Sequence, residues 1–131
     1  MPAGYKVYKS GDFIRKTAEG QLNLQKSLDL VKELVTASGF HRGHDLLVDL
    51  RQTEPLQNFA DLLNVAIEFA KYKDAFHNKI AVIIPDTPDR IKRANFFMAS
   101  LGEMKFSIDY FTDFEDAINW LSTIQKFPEK S

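Results

Sequence analysis

Apolar positions along this chain follow two different periods. Asp45-Leu-Leu-Val-Asp-Leu-Arg51 is a short run, apolar from Leu46 to Leu50 except at Asp49, that closes on Arg51 and a polar loop from Gln52 to Gln57. A second run, Lys79-Ile-Ala-Val-Ile-Ile-Pro85, follows one helix-sized interval later. Runs of this length bounded by polar or turn residues predict strands, and two of them joined by a helix make a right-handed parallel βαβ unit.

The remaining elements follow from the same reading. Tyr5 to Lys9 alternates apolar and polar side chains, Ser10-Gly11-Asp12 supplies a turn, and Phe13 to Ala18 resumes the extended pattern, which predicts an opening hairpin. Gly20 is expected to break that strand. Leu24, Leu28, Val31, Leu34 and Val35 then recur at helical spacing, with Asn23 as N-cap and Gly39 as a left-handed stop. A second helix is capped by Asn58, carries Asp61 in its positive first turn, and turns Phe59, Leu62, Leu63, Ala66 and Ala70 inward.

Asp86-Thr87-Pro88-Asp89 starts a third helix, with Thr87 as cap and Pro88 in the first helical position. Its inner residues are Ile91, Ala94, Met98 and Leu101, and Gly102 ends it. Phe106 to Phe111 is the last strand, and Thr112-Asp-Phe-Glu115 fits a capping box opening a final helix. Phe114, Ala117, Ile118, Leu121 and Ile124 line that helix, and Pro128 closes it. The predicted order is ββαβαβαβα, an α/β domain with a mixed, mostly parallel sheet packed with helices.

Composition narrows the classes without choosing among them. The 131 residues form one domain, 1–131 with an ordered core of about 5–125, long enough to bury roughly two thirds of the unfolded surface without disulfides or metal. Apolar residues are 44% and charged residues 27% of the chain, ordinary for a globular protein. With 17 basic and 18 acidic side chains, a net charge of -1 leaves no global field to attract nucleic acid or an anionic membrane. The absence of cysteine removes thiol catalysis, disulfides and thiolate metal sites. No apolar stretch reaches the ~20 residues of a spanning helix, and the first residues lack a signal-peptide core, so no transmembrane segment and a cytoplasmic location are expected.

The element order, the glycine at Gly20, the strand ending Asp49-Leu50-Arg51, and the closing Phe111-Thr-Asp-Phe-Glu-Asp-Ala-Ile-Asn-Trp-Leu-Ser122 together resemble the SpoIIAA-like branch of the STAS fold, over roughly Tyr5 to Ile124. The resemblance implies a regulatory domain that acts through protein contacts. In STAS regulators the loop after this strand carries a serine that a partner kinase phosphorylates. From Asp49 to Ala60 this chain has no serine, Asn58 stands at about the serine's place, and Thr53 is off register, so no phosphosite carries over. Asp49 also looks like the acceptor of a response-regulator receiver, but receivers need an acidic pair after their first strand to hold magnesium, and Asp12 is alone there.

In open α/β sheets ligands collect where strands end and helices begin. That edge here holds Arg51, Thr53, Thr87 and Arg90, with Glu54, Asp86, Thr112 and Asp113 nearby, and an anion is expected between Arg51 and the starts of the second and third helices. The competing reading makes the threonines caps and Arg51 an ion-pair partner of Glu54 or Asp86. On the third helix Phe96 points nearly opposite the core stripe, among Lys92 and Arg93, which predicts an exposed aromatic in a basic interaction face. His41, His44 and Asp45 cluster without a fourth ligand, so no metal is expected. Tyr5, Tyr8 and Trp120 can be read as an apolar ligand pocket, against which Trp120, on the flank of its helix stripe, favours a core-rim position, and no cofactor motif or catalytic constellation is present.

These observations favour a non-enzymatic STAS-like module that binds an unidentified protein partner or a second copy of itself. The alternative is a carrier of a small apolar ligand or lipid, because the family is distantly similar to lipid-transfer folds. A fully packed core would eliminate that alternative.

Overall fold

The computed structural model describes residues 13–41, 43–76, 78–102 and 107–122. The expected strand Tyr5 to Lys9, Phe106, Ile124 and Pro128 lie outside the described residues. Within them the order is β1 (Phe13–Gln21), α1 (Leu24–Phe40), β2 (Asp45–Glu54), α2 (Phe59–Lys71), β3 (Ile80–Ile83), α3 (Pro88–Leu101), β4 (Ile108–Phe111) and α4 (Phe114–Ser122).

The four described strands form one parallel sheet in the order β1-β2-β3-β4. Each crossover advances by one strand in the same direction, and right-handed connections of that kind place their helices on one face. The core divides accordingly. Leu46, Val48 and Ile80 pack under α1, α2 and α3 with Val31, Leu34, Val65, Ala66 and Phe69. Leu47, Ala81 and Ile83 point the other way, against Ala117 and Leu121 of α4. The alternation along β2 and β3 explains why both runs are apolar almost throughout: a parallel strand is covered on both faces.

Helix starts match the expected chemistry. The Asn23 side chain accepts from Lys26 N at 2.8 Å, Asn58 from Asp61 N at 2.8 Å, and Thr87 from Arg90 N at 3.2 Å. The α4 cap is Asp113, which accepts from Asp116 N at 2.8 Å, one residue later than the capping box on Thr112 placed it. Gly102 ends α3 at φ 68 and ψ -149, a conformation open essentially to glycine alone.

Two glycines depart from expectation. Gly20 has φ 86 but does not break β1, which continues through Gln21 and stays paired to β2. Gly39 lies inside α1 without a positive φ, and the cap is His41, whose N-H donates to Ala37 O. The polar loop expected from Gln52 is strand as far as Glu54, because the longer β1 gives it a partner.

The α2 stripe is rotated from the expected one. Val65, Ala66 and Phe69 are buried and Leu63 is exposed. Phe-Ala-Asp-Leu-Leu-Asn-Val-Ala-Ile-Glu-Phe-Ala is apolar around most of the helix, so periodicity alone defines its inner side poorly.

Candidate functional site

Between the sheet and α1, α2 and α3 the packing leaves a cavity of about 140 Å³. Val48 and Leu50 of β2, Val82 of β3, and Ile108 and Tyr110 of β4 line its sheet side. Val31 and Leu34 of α1, Leu62, Val65 and Phe69 of α2, and Ala94, Phe97 and Met98 of α3 line its helix side. The valines and Ala94 are short, and short side chains on both layers leave the space that longer ones would fill.

Two arginines of α3, Arg90 and Arg93, join this mostly apolar wall, whose other polar side chains are Ser27 and Tyr110. Arg90 lies one turn before Ala94, where the inner stripe of α3 would continue, and it is 8% exposed. Its Nη1 donates to Thr53 O at 2.7 Å and its Nη2 to Thr53 Oγ1 at 3.0 Å. Thr53 Oγ1 in turn donates to Leu50 O at 2.6 Å. Both acceptors of Arg90 are neutral, and it forms no ion pair with a carboxylate among the described residues. Burial pulls its pKa below the ordinary arginine value, an effect that the nearby Asp89 charge opposes.

A bulge brings Thr53 to this side. Between the pairs Thr17–Asp49 and Glu19–Gln52, β1 advances two residues and β2 three. The extra residue breaks the two-residue alternation, so Thr53 meets the helix layer while Asp49 and Arg51 stay on the α4 side. Period-two reasoning from the sequence puts Asp49, Arg51 and Thr53 on one face. The bulge separates them.

Of the residues expected to hold an anion, Thr53 and Arg90 come together while Arg51 is parted from them. Arg51 instead donates from Nε and Nη2 to Asp49 at 3.0 and 2.8 Å, and Arg15 Nη2 reaches the same carboxylate at 2.9 Å. These bonds, the Arg51 side chain foremost, hold the Asp49 carboxyl well below the usual carboxylate range although its burial pushes the other way. Asp49 in turn raises the pKa of Arg51. The expected ion pair of Arg51 is real, with Asp49 as its partner in place of Glu54 or Asp86. Thr87 acts as the α3 cap.

The basic aromatic face also changes character. Phe96 is half-buried, its ring 4.8 Å edge-to-face from Phe59 of α2. Lys92 Nζ lies 6.0 Å and the Arg93 guanidinium 5.1 Å from the centre of the Phe59 ring, and Arg93 further binds Asp89 and Leu56 O. Arg93 and Phe96 thus pack in the α2–α3 seam, with Lys92 exposed beside it. Among the described residues the exposed large apolar side chains are Leu63 and Ile67 on α2, and Phe40 at the end of α1.

Asp45 is buried and accepts from Lys79 N at 3.0 Å, so it holds β2 to the start of β3. His41 and His44 stack edge-on at 5.6 Å, and no cluster of ligating side chains suited to a metal occurs among the described residues. Trp120 is half-buried against Phe111 at 5.4 Å, with Lys79 Nζ 5.0 Å from its ring centre, a rim position as expected. Tyr5 and Tyr8 lie outside the described residues. No helix among the described residues is long and apolar enough to cross a membrane.

No family model and no curated protein matches the chain. Among solved structures it is similar to an uncharacterized protein from the DUF3478 family with a SpoIIAA-like fold, from Shewanella loihica PV-4. The two are 20% identical with a TM-score of 0.52, over 92% of each chain. The fold is therefore SpoIIAA-like, as the strand order and the closing Phe111–Ser122 segment implied. Sequence reasoning named Arg90 and Thr53 but did not place the cavity between them and α2, because buried valines look the same in sequence whether they face a side chain or a space.

Proposed function

We propose that this SpoIIAA-like domain binds a small, largely apolar ligand in the cavity beneath α1, α2 and α3. The observation that carries the reading is an apolar-walled space of about 140 Å³ in the larger of two cores. The space opens partly to solvent, which gives a ligand a way in, and its lining is mostly apolar, so an apolar occupant would gain by leaving water. An engineered cavity of ~150 Å³ lined by similar side chains takes up benzene, which sets the scale of the occupant. The reading is of binding without a chemical step. Asp49, the most strongly perturbed carboxyl, is held ionised by Arg51 and Arg15 and is unsuited to exchanging a proton near neutrality.

The test is mass spectrometry of small molecules extracted from protein purified under native conditions, with Ala94→Leu as the filled control. Ala94 is half-buried on the cavity wall, and leucine there occupies the space without adding a polar group. An apolar compound bound to the wild type and missing from the variant supports the reading. Equal recovery from both proteins contradicts it.

A second reading, a contact with a protein partner or a second copy, draws on Leu63 and Ile67, exposed one turn apart on the outer side of α2. Sedimentation velocity of the wild type and of Ile67→Glu tests self-association. Concentration-dependent association abolished by the variant favours this reading, and monomers in both samples count against self-association through α2.

A further inference from the structure

We infer that the cavity takes a monocarboxylate with a short apolar tail, its head group paired with Arg90 and its tail between the sheet and α2. The inference rests on the cavity reading and specifies the chemistry of the occupant.

Three features of Arg90 point the same way. It is 8% exposed, and a buried cation is ordinarily matched by an anion because transfer from water costs several kcal/mol. Its protein partners, Thr53 O and Oγ1, are neutral. It also stands in the first turn of α3, where the helix dipole disfavours a cation and favours an anion. Asp89, in the same turn, is taken up by Arg93 at 2.9 Å. Arg90 thus carries a positive charge that the described protein groups do not pair, at the wall of an apolar cavity.

The same inventory sets the charge of the ligand. Arg93, the other cation on this wall, is matched by Asp89 and also donates to Leu56 O, so one unpaired positive charge remains. A monoanion neutralises it, whereas a dianion brings a second charge to a largely apolar pocket that has no further unpaired cation on its wall. A guanidinium has five N-H donors in a planar fork, and Thr53 uses two of those of Arg90. The rest suit a carboxylate, whose two oxygens match that fork. A cavity of about 140 Å³ limits the apolar part to a short chain or a single ring.

The experiment compares hexanoate with hexanol, matched in length and differing in charge, by calorimetric titration at neutral pH into the wild type, Arg90→Gln and Arg90→Lys. The expected result is hexanoate binding to the wild type at least about tenfold more tightly than hexanol, a margin in the range of a charge-assisted hydrogen bond. Arg90→Gln should lose this preference while still binding hexanol, and Arg90→Lys should keep part of it. The wild-type comparison needs no variant, so a folding defect in Arg90→Gln leaves the test intact. Binding of hexanol with no preference for hexanoate overturns the head-group assignment and leaves the cavity reading standing. An undiminished preference in folded Arg90→Gln also overturns the assignment, and failure of both compounds to bind overturns both.

Discussion

Asp49 is 5% exposed and held by guanidinium groups from β1 and from its own strand, which makes it a fixed charge at the centre of the sheet. Its pKa is depressed in the folded protein, Arg51 being the largest cause. A depressed carboxyl contributes stability above its unfolded value, near 4, and that contribution fades as pH falls from there toward the lower folded value. Asp49→Asn should therefore cost about 2 kcal/mol at pH ~7, the scale of hydrogen bonds to a charged group, by urea denaturation. The difference from the wild type should shrink progressively below pH ~4. A constant difference across that range would show that the loss is one of shape rather than charge. The sequence marks Asp49 as conspicuous but assigns it no partner: for Arg51, two residues on, it points to Glu54 or Asp86, and Arg15, 34 positions away, meets Asp49 only through the β1–β2 pairing.

At the scale of elements, strands, helix starts and the stop at Gly102 were legible because each is governed by neighbours in sequence. Asn23, Asn58 and Thr87 cap their helices through bonds to the residue three places on. What was not legible depended on a second element. Gly39 has the composition of a stop, yet α1 runs past it, and the β2 bulge that turns Thr53 toward Arg90 exists only in the pairing with β1. The contrast between glycines is testable. Gly102→Ala should destabilise by about 1–3 kcal/mol because its φ is positive and its ψ extended. Gly39→Ala should stabilise by about 0.5 kcal/mol, since a methyl there meets nothing within 4 Å and favours helix. Thermal unfolding of both variants checks the signs, and equal shifts would contradict the assignment. Phe96 belongs to the same lesson, since its partner Phe59 sits on another helix. Phe96→Ala should cost about 2 kcal/mol in a urea titration, roughly half the price of a fully buried phenylalanine. No change in stability would return it to an exposed surface role.

For the whole molecule, the sheet order and the single-sided stacking of α1, α2 and α3 follow from repeated right-handed crossovers, and the sequence contained enough to anticipate a SpoIIAA-like α/β domain. The carrier alternative left room for a cavity, but its place and lining were beyond the sequence, because both are set by how far side chains from six elements reach toward one another. Its energetics make a separate prediction. Compared with wild type stripped of ligand, Ala94→Leu should raise the melting temperature by about 2–6 °C by filling space that lacks contacts, a gain of the order of 1 kcal/mol. A lowered melting temperature would mean that the space is already occupied by side chains in solution. The most direct test of the account is a methyl NMR titration of the apo protein with hexanoate. It predicts saturable shifts at Val31, Val48, Leu62, Val82 and Met98, which line the cavity, with Leu47, Ile83 and Leu121 on the α4 side unmoved. Shifts that never saturate, or that fall on the α4 side instead, would contradict it.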